Sequence, residues 1–249
     1  MSGDEHPQPP LVPGADNFRD VGGLRAGEGR TRPGVLYRSG NLAGLEDSGI
    51  SALRALGIRR IIDLRADDEI SYAPSRIEGL DLVTQRVPLF TGPVSALFAD
   101  DIGLDEMYRR LVVDSAAGVV EVVRGIIADQ PVLVHCTVGK DRTGVAVALA
   151  LAAAGVDEDD VVADYARTEG LLPAGRTRRI VEMLQSMHPD ALHIEDLATR
   201  SPGPVMRAML AGIRDQFGSP ADYLRSNGLT DDELDELRRV LVSAEGLTA

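Results

Sequence analysis

Pro131 is followed by Val132-Leu133-Val134, an apolar run with no polar alternation, and then directly by His135-Cys136-Thr137-Val138-Gly139-Lys140-Asp141-Arg142-Thr143-Gly144. A short β-branched run of this kind fits a strand buried on both faces, as at the centre of a parallel sheet. The stretch from Arg142 to Ala154 is rich in alanine and stops at Gly155, which marks a helix and its C-terminal end. A buried strand, a polar turn with two glycines and an apolar helix leave few architectures open. The turn must sit where a strand of an α/β sheet delivers its carboxyl end.

The flanking segments support that architecture. Val35-Leu36-Tyr37-Arg38 reads as a strand. Asp47 to Leu56 reads as a helix with Ile50, Leu53 and Leu56 on one face, ended by Gly57. Arg60 to Leu64 is a second strand, with Asp63 at its end and Arg65 just beyond, and Leu82 to Val87 is a third. Helices are expected over Asp105 to Val113, Gly118 to Ala128, Asp157 to Arg167, Arg176 to Met187 and Val205 to Phe217. Ser219-Pro220-Ala221-Asp222 and Thr230-Asp231-Asp232-Glu233 are helix starts with a capping residue, proline or acid in the first turn. Strands alternating with helices, then helices alone, imply an α/β fold: a central, mainly parallel sheet flanked by helices, with a helical C-terminal half. Residues 1–14 are proline-rich and polar and read as a flexible arm, with 15–249 a single domain. The least regular stretch, Leu171 to Pro204, reads as a lid or a helical insertion.

Composition narrows the chemistry. The net charge of -13 argues against nucleic acid and anionic membrane as partners, since both need a basic footprint. No apolar run reaches the length of about 20 residues that a membrane span needs. The start of the chain has neither the basic residues nor the apolar stretch of a secretory signal, so a cytoplasmic location is expected, although signal-independent secretion would leave no trace. Cys136 is the single cysteine, which excludes an internal disulfide and a zinc site built on several thiolates. Lys140 is the single lysine among 26 basic residues, and it lies four positions from the single cysteine. In so acidic a chain, any attraction for an anion has to be local.

The turn has the parts for such attraction. Backbone N–H groups from Thr137 through Val138, Gly139 and Lys140 to Thr143 can converge on one point, and the helix N-terminus adds partial positive charge. This makes a nest for a tetrahedral dianion. Cys136 at its floor is favoured as a thiolate by the helix end and nearby cations, and a thiolate there can attack phosphorus in line. Arg142 can hold two equatorial oxygens in bidentate fashion, which a lysine cannot. The Thr143 hydroxyl is placed to hydrogen-bond the sulfur. His135 is expected to order the loop through its ring nitrogens. A leaving oxygen needs a proton and a later water needs a base, and one carboxyl group can serve both steps. Asp141 is the first candidate, Asp63 the second, and Asp100 or Asp101 the third. Arg65 either lines the pocket or neutralises Asp63.

The His-Cys, five residues, Arg, Thr pattern resembles the signature of the protein tyrosine phosphatase superfamily. Asn17-Phe18-Arg19-Asp20-Val21-Gly22-Gly23, Leu36-Tyr37-Arg38-Ser39, Ile62-Asp63-Leu64-Arg65 and Tyr223-Leu224 with Gly228-Leu229-Thr230 resemble a bacterial subgroup of tyrosine and lipid phosphatases, of mycobacterial type. The resemblance implies a protein-tyrosine-phosphatase-like fold, with neither metal nor cofactor and with Cys136 as nucleophile. It further implies Arg142 as phosphate clamp and Asp141 as acid. It implies phosphorylated protein or phosphoinositide as substrate, with Lys140 reaching a second phosphate, and leaves the oligomeric state open. The Trp-Pro-Asp loop of that superfamily is missing, since the chain has no tryptophan. Asn17 to Gly23 reads as a packing element in which Arg19 and Asp20 brace the loop, and Arg38 and Ser39 as supporting or strand-end residues. An inositol-polyphosphate phosphatase, a sulfur-transfer domain and a non-catalytic phosphate-binding module are the alternatives.

Overall fold

The apolar run lies where its lack of alternation places it. In the computed structural model, which describes residues 11–89 and 101–244, β7 (Val132–His135) is the middle strand of a five-stranded sheet. Val132 and Val134 face one core and Leu133 faces the other, and all three are fully buried. The sheet runs β1 (Arg19–Asp20), β4 (Leu36–Ser39), β7, β5 (Arg60–Asp63), β6 (Val83–Arg86). β4, β7, β5 and β6 are mutually parallel, and β1 pairs antiparallel with β4. Register aligns Ser39, His135, Asp63 and Arg86 across the carboxyl edge, so Cys136 leaves the sheet at the edge where ligands bind in open parallel sheets.

Both faces are covered. On one side α1 (Asp47–Ala55) contributes Leu53, which packs with Phe18, Tyr37, Leu42, Leu45 and Ile61. The other face carries α3 (Leu104–Asp114), α4 (Ala116–Ala128), α5 (Asp141–Ala153), α6 (Glu158–Leu171), α9 (Gly203–Phe217), α10 (Pro220–Ser226) and α11 (Asp231–Leu241). Helix α5 is apolar on all sides and is buried almost throughout, packed against β4, β7, α3, α4, α6, α10 and α11. The expected caps form: Ser219 Oγ accepts the Asp222 N–H at 3.0 Å, and Thr230 and Glu233 make a capping box. No helix of the described residues is long and apolar enough to cross a membrane.

Several elements depart from expectation. A second, antiparallel sheet orders β2 (Arg25–Ala26), β3 (Gly29–Thr31) and β8 (Val242–Ala244), tying the end of the chain to the hairpin after β1. Such short strands lack a readable period. Residues 1–10 lie outside the described residues, and Val12 is already fully buried, so packing starts ahead of residue 15. The stretch from Leu171 to Pro204, read as a lid or a helical insertion, is by contrast largely helical, with α7 (Ala174–Met187) packed on α8 (Ile194–Thr199). The short helix α2 (Asp67–Tyr72) follows β5 directly. It shows no apolar period and is held at its start by the Ala66 N–H donating to Glu69 Oε2 at 3.0 Å.

Candidate active site

The turn after β7 is shaped by its carbonyl groups. Thr137 O accepts from the Asn41 N–H at 3.1 Å and from Asn41 Nδ2 at 3.0 Å. Val138 O accepts from Asn17 Nδ2 at 3.4 Å. Gly139 O accepts from Asn17 Nδ2 at 2.9 Å and Arg38 Nη2 at 3.0 Å. A trans peptide points its N–H opposite to its C=O. Three carbonyls tied outward therefore turn the N–H groups of Val138, Gly139 and Lys140 inward. Gly139 has φ 76°, and a Cβ there would run into the Ser39 carbonyl. Only glycine lets the turn close this tightly. The Gly139 N–H donates to Cys136 Sγ at 3.2 Å, and Cys136 is 2% exposed.

The inner bracing is a buried ion cluster. Asp164 on α6 accepts from Arg19 Nε at 2.8 Å and from Arg38 Nη1 at 2.7 Å. Arg19 also reaches Thr168 at 3.0 Å and the Asn17 side chain. Burial would raise the Asp164 carboxyl, but the two guanidinium groups hold it below the usual range. Arg19 and Arg38 thus brace the loop as expected, whereas Asp20 accepts the Gly22 and Gly34 N–H groups in the neighbouring turn. Gly144 lets α5 approach α6: a Cβ there would lie 3.0 Å from the Tyr165 ring.

Arg142 is fixed by a residue with no signal in the sequence. Its Nη1 and Nη2 donate to Glu69 Oε2 and Oε1 at 2.5 and 2.7 Å. Thr137 Oγ1 also donates to Glu69. Burial pushes the Glu69 carboxyl up, but these partners pull it down to about 2. The same pairing outweighs the effect of burial on Arg142 and raises its guanidinium. This end-on contact occupies one N–H of each Nη and leaves the Nε–Nη2 edge for two oxygens of a phosphate.

The other candidates divide. Asp141 Oδ1 lies 2.9 Å from Lys140 Nζ and accepts the Tyr108 O–H at 2.9 Å. Asp63 stands at the carboxyl edge beside His135, but both its oxygens are taken by Arg65, which is 1% exposed. Burial raises the Asp63 carboxyl, yet Arg65 holds it below the usual range. A carboxylate paired on both oxygens and held below its usual range is poorly suited to give a proton, so the geometry favours a scaffold role for Asp63 over that of acid. Arg65 does not line the pocket. Its other N–H groups tie Ala73 O at 2.7 Å and Ser75 Oγ at 2.8 Å, closing the segment that carries Glu69. Asp101 accepts the Leu192 and His193 N–H groups at 2.7 and 3.1 Å ahead of α8, and Asp100 lies outside the described residues.

His135 Nδ1 is 3.3 Å from Cys136 O, and burial lowers the ring below its ordinary value. Its 3.7 Å approach to Asp63 is therefore not an ion pair. The Thr143 hydroxyl is buried without a hydrogen-bond partner among the described residues, so the expected bond to sulfur is not made in this state. Lys140 is fully buried, and its ammonium donates to Arg200 O at 2.8 Å and Asp196 O at 3.4 Å besides contacting Asp141. It anchors the end of α8 instead of offering a free charge, because a buried ammonium must fill its donor positions. Thr137 and Val138, half-buried, stand at the mouth.

Known proteins are similar to this chain in sequence. The triple specificity protein phosphatase PtpB of Mycobacterium tuberculosis is 32% identical over 93% of this chain and 98% of its own length. A tyrosine-protein phosphatase of Nostoc commune is 31% identical over 82% of this chain and 73% of its own. Among solved structures, TpbA of P. aeruginosa overlaps with a TM-score of 0.37 at 18% identity, over 73% of this chain and 90% of that one. The assignment rests on sequence, not on that overlap. The model of the tyrosine phosphatase family matches residues 10–243, and the chain belongs to that family.

Proposed function

We propose that this chain hydrolyses phosphomonoesters on tyrosine, and also on serine, threonine and phosphoinositides, through a cysteinyl-phosphate on Cys136 and without a metal. One observation carries the reading: Cys136 Sγ lies at the floor of a turn whose carbonyls are tied outward and whose Arg142 is already oriented by Glu69. The thiolate attacks phosphorus as the P–O bond breaks, and the inward N–H groups with the Nε–Nη2 edge of Arg142 hold the equatorial oxygens. Asp141 gives its proton to the leaving oxygen. It then takes one from the water that attacks the S–P bond, releasing inorganic phosphate and restoring the thiolate.

The breadth of substrate follows the relative that matches nearly the whole chain, a triple specificity phosphatase. A cytoplasmic location fits a reaction that needs a free thiolate. The Lys140 geometry gives the inositol-polyphosphate alternative no support, since a second phosphate would have to displace two carbonyls and a carboxylate. The test is hydrolysis of an aryl phosphate in excess chelator by the wild type and by Cys136→Ser. Loss of about 10³-fold or more in the variant, with vanadate inhibition of the wild type, is expected. Wild-type-like turnover by Cys136→Ser would refute the mechanism.

A further inference from the structure

We infer that Tyr108 is a positioning residue for Asp141, and that Tyr165 and Tyr108 together decide which oxygen of Asp141 carries the transferred proton. Tyr108 on α3 is 1% exposed, and Tyr165 on α6 is fully buried. Their rings meet edge to face at 6.1 Å and 81°. Their hydroxyl oxygens are 2.5 Å apart, and the Tyr108 hydroxyl lies 2.9 Å from Asp141 Oδ1. A phenol has one proton to donate. If Tyr108 gives its proton to Asp141, the short contact can be filled only by Tyr165 donating to Tyr108. The hydroxyls therefore form a one-way chain from Tyr165 through Tyr108 to Asp141.

The chain ends on one oxygen. Lys140 Nζ also contacts Oδ1, so both side-chain contacts of Asp141 with described residues fall on that atom. An oxygen that accepts two donors is a poor place for a proton. When Asp141 is protonated, the proton resides on Oδ2, and from there it passes to the leaving oxygen as the P–O bond breaks. Neither phenol ionises in the process. Burial raises Tyr108 far above the ordinary phenol range and also raises Tyr165, so both remain donors. The charged and titratable groups that act on Asp141 are Lys140 and Arg142 on either side of it, Tyr108 on α3 and Tyr165 on α6. Arg38 and Glu169 act on the far end of the hydroxyl chain.

This inference rests on Asp141 being the acid, and the test separates the two. An alkyl phosphate, with a poor leaving group, and an activated aryl phosphate are compared for Tyr108→Phe, Tyr165→Phe, Asp141→Asn and the double variant Y108F/D141N. Asp141→Asn should slow the alkyl phosphate about 10²-fold and the aryl phosphate far less. Tyr108→Phe should slow the alkyl phosphate about tenfold, in kcat rather than KM, with at least a fivefold smaller loss on the aryl phosphate. Tyr165→Phe should show the same leaving-group-dependent loss in kcat, but smaller, and it answers the question if Tyr108→Phe fails to fold. In the Asp141→Asn background, Tyr108→Phe should add no further leaving-group dependence. An equal loss on both substrates, while Asp141→Asn still discriminates, overturns the role of Tyr108 alone. An Asp141→Asn variant that does not discriminate overturns the acid assignment and this inference with it.

Discussion

The turn after β7 has an inner and an outer side, and they are built differently. On the inner side Asn17, Arg19, Arg38 and Asp164 are each under 5% exposed; Asn17 and Arg38 hold the turn's carbonyls, and Arg19 and Asp164 brace them. On the outer side Arg142 is held by Glu69 on α2 and Lys140 by carbonyls in and just after α8, two six-residue helices. Buried ion clusters are costly to disturb because a lost partner leaves a charge unpaired in low dielectric. Short helices have few contacts of their own and open locally with less free energy. The backbone of the turn is thus held by contacts that are costly to break, and the charges around it by contacts that open more readily.

The contrast breaks most readily on the inner side. Asp164→Asn should strand two buried guanidinium groups and cost about 3–5 kcal/mol, lowering Tm by roughly 10 °C in calorimetry. A melting point within 2 °C of wild type, roughly what 1 kcal/mol gives in a chain of this size, would show the cluster to be incidental. Arg142→Lys keeps the charge but loses the fork. It should lower kcat by about 10²- to 10³-fold with little change in Tm, read by steady-state kinetics beside calorimetry.

Glu69→Gln sharpens the outer side, with kcat/KM expected to fall about tenfold as Arg142 loses its orientation. Its pH signature has a definite sign. The Glu69 carboxyl is held at about 2 against an ordinary 4.5, so its stabilisation is present above pH 4.5 and is lost as pH falls towards 2. The gap in urea midpoint between wild type and Glu69→Gln should be widest near pH 6 and close at acid pH. A gap independent of pH would remove the ion pair from the account. Lys140→Met should have the smallest effect, a few-fold in turnover, with faster amide hydrogen exchange over residues 194–200. A selective rise in KM for a bisphosphorylated lipid, without faster exchange there, would return Lys140 to the role of reading a second phosphate.

Most of the architecture was legible because it rests on local signals. The apolar run before Cys136, the alanine-rich α5, Gly139 and the caps at Ser219 and Thr230 are each read within a few residues. The parts that stayed hidden are those decided by a distant partner. Arg19 and Asp164 are 145 positions apart, and nothing near either announces the other. Tyr108 and Tyr165 look like core aromatics in amphipathic helices, and only the crossing of α3 and α6 gives their hydroxyls to Asp141. Glu69 stands in a segment without apolar period and is legible only as a capping acid. Asp63 was placed at the carboxyl edge, but its pairing with Arg65 two positions on could not be told there from a free carboxyl group. Lys140 drew attention by being the lone lysine, and its direction could not be read from that fact.

That direction has a practical consequence. The Lys140 amine is shut away between Asp141 and the carbonyls of Asp196 and Arg200, and no other lysine exists to compete with it. An acylating reagent applied to the folded protein meets one side-chain amine, and meets it only while the end of α8 is away from the turn. Mass added at that position over time becomes a clock for the opening of the mouth, written into the chain by its own avoidance of lysine everywhere else.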